Sequence, residues 1–284
     1  MIKRKLVLEF TKMSGNGNDF IVIDNRFYNF SADELSDLAR RFCARRIGIG
    51  ADGILAFMLP ENDKYHYRMK YFNADGSLGT MCGNGARCLA RFARKAGIAE
   101  EKMFFESDAG VYAAHAPAGE DSPVRIYVQP PQNQDLAVAL KSTLFDTAHF
   151  IWTGTEHLVC FVEEVASVPV DAWGAALRHD ELLKPAGANV NFVEVLDVGS
   201  AREPAKIHVR TFEKGVEGET LACGTGAMAS SVIAKAQGVI AANTVQVTMA
   251  GGELGVGFEY EDGQIVNLYL EGAVDTIFRG TIEV

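Results

Sequence analysis

Short apolar runs separated by glycine, proline and charged residues make up most of the chain, and only a few stretches carry a helical period. In the first half, "FIVID", "GILAFML" and "YHYRMKYF" read as strands from their β-branched and aromatic content. The second half gives "HLVCFVEEV", "NFVEVLDV", "KIHVRTF", "TVQVTMA", "GVGFEY" and "IVNLYLEG" on the same grounds. Ser31 and Glu34 form a capping-box pattern ahead of "LSDLARRF", which predicts a surface helix to about Arg46; "DAWGAALRHDELL" is its counterpart. Two further helices start at Cys-Gly turns. Ala, Leu, Phe, Met, Val and Ile cover most of their circumference, as expected of helices enclosed by other elements.

Those two helices belong to an internal repeat. "CGNGARCLARFARKAG" (82 to 97) aligns with "CGTGAMASSVIAKAQG" (223 to 238): both open Cys-Gly-x-Gly-Ala, and both reach a glycine fifteen residues after the cysteine. Weaker echoes follow in the same order at offsets of 137 to 140, against 141 for the cysteines: "GNDFIVID" with "GTEHLVCF", "GADGILAF" with "GANVNFVE", and "RMKYFNADG" with "HVRTFEKGV". The expected fold is therefore α/β (α+β), with two pseudo-symmetric domains. Each is a curved, mostly antiparallel sheet wrapped around one central hydrophobic helix, and the active site is expected in the cleft between them. "VQPPQNQ" (128 to 134) reads as the linker, since Pro130-Pro131 interrupts helix and ladder alike.

Composition narrows the function. With 284 residues, 48% hydrophobic and 23% charged, the chain can bury a large core without staples. A net charge of −10 and a pI near 5.1 argue against a nucleic-acid or anionic-membrane partner. Lys3-Arg4-Lys5 reads as a solvated terminus. The following apolar run, Leu6-Val7-Leu8, is too short for a signal peptide or a bilayer span, so a cytoplasmic location is expected. Five scattered cysteines do not form a secreted disulfide framework, and neither CxxC nor HExxH occurs; thiols are expected, and no metal. "SGNGND" lacks the third glycine of a dinucleotide fingerprint.

The first turn of a helix presents N–H groups without intrahelical acceptors and the positive end of the helix dipole, which suit a carboxylate and favour a cysteine thiolate. If both Cys-Gly-x-Gly turns face one amino-acid substrate, one sulfur removes the Cα proton as thiolate while the other delivers a proton to the opposite face. That inverts the centre with no cofactor. A lone cysteine at such a turn is usually packing; two at matched places favour chemistry. Cys43, Cys88 and Cys160 keep the packing reading. His157, beside the repeat-related Gly154, is either a packed or surface histidine or a base acting behind the cysteines. Asn18, Asn73, Asn84 and Asn189 suit turns as well as binding.

In "KMSGNGNDF", "FNADGS…CGNGARC" and "GETLACGTGA" the sequence resembles the diaminopimelate epimerase family over essentially its whole length. The resemblance implies a homodimer that interconverts LL- and meso-2,6-diaminopimelate for lysine and peptidoglycan-precursor synthesis, without metal or pyridoxal phosphate. By position it makes Cys82 and Cys223 the paired acid and base. Gly83, Asn84, Gly224 and Thr225 become the cradle of the reacting carboxylate, and Asn18, Asn73 and Asn189 substrate-binding amides. His157 and Glu213 become groups that set the cysteine protonation states. It also implies that the last strand returns to the first domain, giving domains of 1–127 with 273–284, and 128–272.

Two motifs depart from the family pattern. Gly154-Thr155-Glu156-His157 stands for the usual Gly-Asn-Pro-His, and Glu213-Lys214-Gly215 for Glu-Arg-Gly. Lys214 keeps the charge of the arginine that grips the distal carboxylate but lacks its planar fork. Alternatives are a related racemase or epimerase acting on lanthionine, a basic amino acid or a proline derivative, or a thiol or binding module without turnover. Proline-type enzymes usually read Cys-Gly-His where this chain has Cys82-Gly83-Asn84.

Overall fold

A computed structural model describes residues 6–79, 81–119, 121–142 and 144–284; Lys3-Arg4-Lys5 lies outside them. The chain divides into two compact units, Met1–Ile126 with Gly272–Val284, and Tyr127–Glu271. Both crossings fall one residue before those read from the sequence.

In chain order the first half contains β1 (Val7–Gly15), β2 (Asn18–Asp24), α1 (Asn25–Tyr28), α2 (Ala32–Phe42), β3 (Gly53–Met58) and β4 (Tyr67–Asn73). It continues through β5 (Leu78–Gly79), α3 (Gly83–Lys95), β6 (Lys102–Ser107), β7 (Gly110–His115) and β8 (Val124–Tyr127). The second half contains β9 (Gln132–Val138), β10 (Ala148–Trp152), β11 (Glu156–Phe161), α4 (Val170–Arg178), β12 (Asn189–Asp197) and β13 (Ala205–Glu213). Then come β14 (Gly218–Thr220), α5 (Gly224–Ala236), β15 (Thr244–Met249), β16 (Gly252–Glu261), β17 (Gln264–Gly272) and β18 (Asp275–Glu283).

The repeat is a repeat of topology. In the first unit β1 pairs antiparallel with β18 and β2, β2 parallel with β3, and β3 antiparallel with β4. β4 then pairs antiparallel with β5 and parallel with β6, which meets β7 antiparallel. In the second unit β10 pairs with β9 and β11, β11 with β12, β12 with β13, β13 with β14 and β15, and β15 with β16, each in the matching sense. Both sheets are mostly antiparallel, and each surrounds a helix. α3 packs on β1, β2, β3, β4 and β7; α5 packs on β10, β11, β12, β13, β15 and β16.

The outer face of each sheet is also covered. Leu35, Leu38 and Phe42 of α2 join Ile21, Ile23, Ile54 and Ala56. Val170 and Leu177 of α4 join Leu158, Cys160, Val190 and Phe192. Strands buried on both faces read as unbroken apolar runs, which is the pattern of "FIVI" and "GILAF". Residues 226–234 of α5 are all buried. α3 is buried almost as deeply, but with Arg87 and Arg91 inside, against the expectation of an apolar circumference.

Other departures have local causes. The Ser31–Glu34 capping box is present, yet α2 stops at Phe42 rather than near Arg46. Gly50 and Ala51 donate to the carbonyls of Phe42 and Cys43, while Arg46 and Gly50 take positive φ and turn the chain back. "DAWGAALRHDELL" is not one helix: α4 ends at Arg178, and Asp180 caps a separate 3-10 turn at Glu181–Leu183 by accepting from Leu182 N–H. The linker is shorter than expected, because Gln132 onward is β9; the ladder starts immediately after two prolines that cannot donate to it.

Candidate active site

In the first unit, Asn16-Gly17 forms a two-residue hairpin turn between β1 and β2, with φ of 49° and 87°. Asn-Gly is the preferred pair for a type I′ turn. The turn lies close against the start of α3: a methyl on Gly15 would come within 3.2 Å of Asn84 O and Cys88 Sγ. Cys82 caps α3 from extended backbone, and its sulfur accepts from Gly85 N–H at 3.4 Å. The N–H groups of Gly83 and Asn84 have no intrahelical acceptor at this position.

A directed chain of hydrogen bonds fixes the amides here. Arg87 can only donate, and its Nη2 bonds Asn84 Oδ1 at 2.9 Å and Asn16 Oδ1 at 2.6 Å. Asn84 Nδ2 therefore donates to Asn18 Oδ1 (2.6 Å), and Asn18 Nδ2 to Asp52 Oδ2 (2.9 Å). Arg45 and buried Lys12 balance Asp19 and Asp52 at the far end. Asn18 and Asn84 each place one of their two amide hydrogens in this chain, so the second of each is a donor that suits an anion. Asn73 stands outside the chain, its amide held by Ser77 Oγ at 3.0 Å.

The second unit repeats the construction. Cys223 caps α5, its sulfur accepting from Gly226 N–H at 3.4 Å and lying 3.4 Å from Thr225 Oγ1. The β10–β11 turn reaches the helix start through Thr153 Oγ1, which donates to Thr225 O at 2.9 Å. Gly224 and Thr225 occupy the places of Gly83 and Asn84. Behind them His157 is fully buried, with Asn191 Nδ2 3.1 Å from Nδ1 and Asn189 Nδ2 3.5 Å from Nε2. Asn189 Oδ1 accepts from Lys214 N–H at 2.7 Å. Glu213 ends β13, where burial raises its carboxyl above the ordinary range. Glu156 turns toward Lys214 and forms an ion pair with it, accepting also from Thr155 Oγ1 at 3.1 Å. Burial would raise the Glu156 carboxyl, but Lys214 holds it below its usual range.

Strand register makes Phe20 the counterpart of His157, since Phe20 pairs with Gly53 as His157 pairs with Asn189. Burial first, and then the Lys214 cation, push the His157 pKa down from 6.5 to about 3. Between those values the unfolded chain binds a proton that the folded chain refuses, so stability falls as pH drops through this window. The slope is at most about 1.4 kcal/mol per pH unit. His157→Phe is expected to make the acid side of a urea-unfolding pH series shallower; an unchanged slope would contradict a neutral buried ring.

The cysteines outside the two helix N-caps are packing thiols: burial pushes Cys43, Cys88 and Cys160 each up to about 12. All five cysteines are thiols. Asn191, Thr211, Arg87 and Asp52, which orient the amides, were not singled out in the sequence. The available signal was "NVN", two asparagines on one face of an otherwise apolar strand. Among the described residues no helix is long and apolar enough to cross a membrane.

A sheet-wrapped, cysteine-capped helix in each of two topologically equivalent halves defines the class. The same fold occurs in a phenazine biosynthesis protein of the PhzF family from Bacillus anthracis (TM-score 0.72, 14% identity, covering 98% of this chain and 100% of that one). It also occurs in a probable proline racemase from Agrobacterium radiobacter (TM-score 0.66, 16% identity, covering 97% and 92%). The chain belongs to the diaminopimelate epimerase family, whose model matches residues 10–131 and 149–277. It is 39% identical to a diaminopimelate epimerase of Chlorobaculum tepidum over 95% of this chain and 99% of that relative.

Proposed function

We propose that this protein is an isomerase that interconverts LL- and meso-2,6-diaminopimelate, using Cys82 and Cys223 as a cofactor-independent acid and base on opposite faces of one Cα. The observation that carries this reading is the pair of matched helix caps. Each sulfur accepts the N–H three residues ahead at the positive end of a buried helix, a setting that stabilises thiolate. The adjacent N–H groups of Gly83, Asn84, Gly224 and Thr225 then hold the α-carboxylate, where charge gathers as the Cα proton leaves. Asn18 and Asn84 add side-chain donors, Asn73 and Asn189 hold further polar groups of the substrate, and His157 and Glu213 tune the sulfurs. The enzyme works as a homodimer in the cytoplasm, where thiols stay reduced.

A second reading concerns the distal end of the substrate. Lys214 would meet a distal carboxylate, but Glu156 already neutralises it. That favours a substrate carrying an ammonium as well as a carboxylate there, such as diaminopimelate or lanthionine, over one with a carboxylate alone. Incubating reduced protein in D2O with LL-diaminopimelate, lanthionine, basic amino acids and proline tests both readings. Deuterium should enter Cα of LL-diaminopimelate with inversion to the meso form. Exchange confined to another amino acid would reject the substrate, and exchange on none of them would reject the reaction class.

A further inference from the structure

The hydrogen bonds around His157 determine which ring nitrogen carries its proton. Asn191 Nδ2 lies 2.9 Å from Leu158 O, and a carbonyl oxygen can only accept, so the amide's NH2 faces that side. Its Oδ1 correspondingly accepts from Thr211 Oγ1 at 2.9 Å. The second hydrogen of the same NH2 is directed at His157 Nδ1, 3.1 Å away, so Nδ1 must supply a lone pair. A neutral imidazole then carries its proton on Nε2.

Nε2 has no acceptor among the described residues. Its neighbour at 3.5 Å is Asn189 Nδ2, and that amide cannot reverse, because its Oδ1 takes the Lys214 N–H. A fully buried N–H is thus left with a donor opposite it, an arrangement that costs free energy unless something else accepts the proton's hydrogen bond.

The other half shows that the fold does not need this polar pair. The counterpart of His157 is Phe20, and the counterpart of Asn191, two residues past the paired position, is Leu55. A methyl on Gly85 of α3 would meet Leu55, and one on Gly226 of α5 would meet Asn191, so both lie beneath the first turn of their helix.

We propose that Asn191 is a positioning residue that locks His157 as the Nε2–H tautomer, so that on its Asn189 side the ring presents a hydrogen-bond donor and not a base. The proposal rests on the epimerase reading for what the donor serves. A donor-only ring steadies a thiolate or carboxylate while leaving the transferred proton to the two sulfurs, and no proton leaves or joins the imidazole during turnover.

The test is long-range 1H–15N correlation NMR of the 15N-histidine-labelled protein near neutral pH. His157 is expected to show a bare Nδ1 and a protonated Nε2; the reverse assignment overturns the proposal. Asn191→Asp places a carboxylate at Nδ1, which should pull the proton to Nδ1, move the His157 titration upward, lower kcat about tenfold or more with little change in KM, and add a limb to the pH profile. Asn191→Leu, the residue of the other half, should leave both tautomers populated. If Asn191→Asp keeps the parent tautomer and pH profile, Asn191 does not set the proton. The NMR assignment needs no turnover: an Nε2–H ring in a protein inert toward diaminopimelate would reject the proposed reaction and leave the tautomer standing.

Discussion

Replacing either Cys82 or Cys223 by alanine is expected to lower the rate of stereoinversion of LL-diaminopimelate by about 10³-fold, within the range of a positioned general acid or base. The two variants should fall alike. Inversion needs one proton removed and another delivered, so the loss of either sulfur stops the same event. The environments are also matched: both cysteines cap their helices from extended backbone, and both sulfurs accept the third helical N–H at the same 3.4 Å. Each substitution also removes an N-cap, costing about 1 kcal/mol of stability, too little to unfold a chain of this size. Unfolding midpoints therefore separate the chemical effect from the structural one. Circular dichroism of the substrate follows inversion, and Cα exchange in D2O follows abstraction alone. Full activity in either variant would rule out the two-base reaction.

The repeat made the fold legible because it carries topology as well as composition. The Cys-Gly-x-Gly turns mark where each sheet hands over to its central helix, and the echoes before them mark β2 with β11 and β3 with β12. Local periodicity was less informative. β1 carries no clear strand pattern, since Lys12 stands in its middle; the structure buries that lysine against Asp19 across the β1–β2 hairpin, an ion pair that strand periodicity does not report. "SGNGND" resembles part of a nucleotide-binding loop, but its Asn16-Gly17 pair is the hairpin turn between β1 and β2. Arg87 and Arg91 interrupt the apolar circumference of α3, and both lie inside. Arg87 bonds two asparagine side chains, and Arg91 bonds the carbonyls of Pro117 and Ser122. The cysteines were legible because their chemistry is local to a helix end. The residues that orient the amides were not, because their meaning depends largely on distant partners, such as Thr211 for Asn191 at 20 positions and Asn16 for Arg87 at 71.

The glycines in the two Cys-Gly-x-Gly turns look interchangeable in sequence, but substitution should affect them very differently. A methyl on Gly85 would sit 2.9 Å from Leu55 Cδ2, the end of a side chain that can rotate away. Alanine is a better helix residue than glycine by up to about 1 kcal/mol, so Gly85→Ala should be near neutral in stability. A methyl on Gly226 would sit 2.3 Å from Asn191 Oδ1 and 3.2 Å from Cys223 Sγ. Asn191 cannot yield without losing its bonds to Thr211, Leu158 and His157. Gly226→Ala is therefore expected to destabilise by about 1 to 3 kcal/mol, the usual cost of overpacking. It should also reduce kcat by about tenfold or more, since the shift moves the sulfur and the histidine together. Urea midpoints and kcat for the two variants make the comparison. If Gly226→Ala is tolerated as well as Gly85→Ala, Asn191 is free to move and cannot be what holds His157. If only Gly226→Ala fails, the two halves share a topology while the second alone carries a rigid polar layer beneath its cysteine.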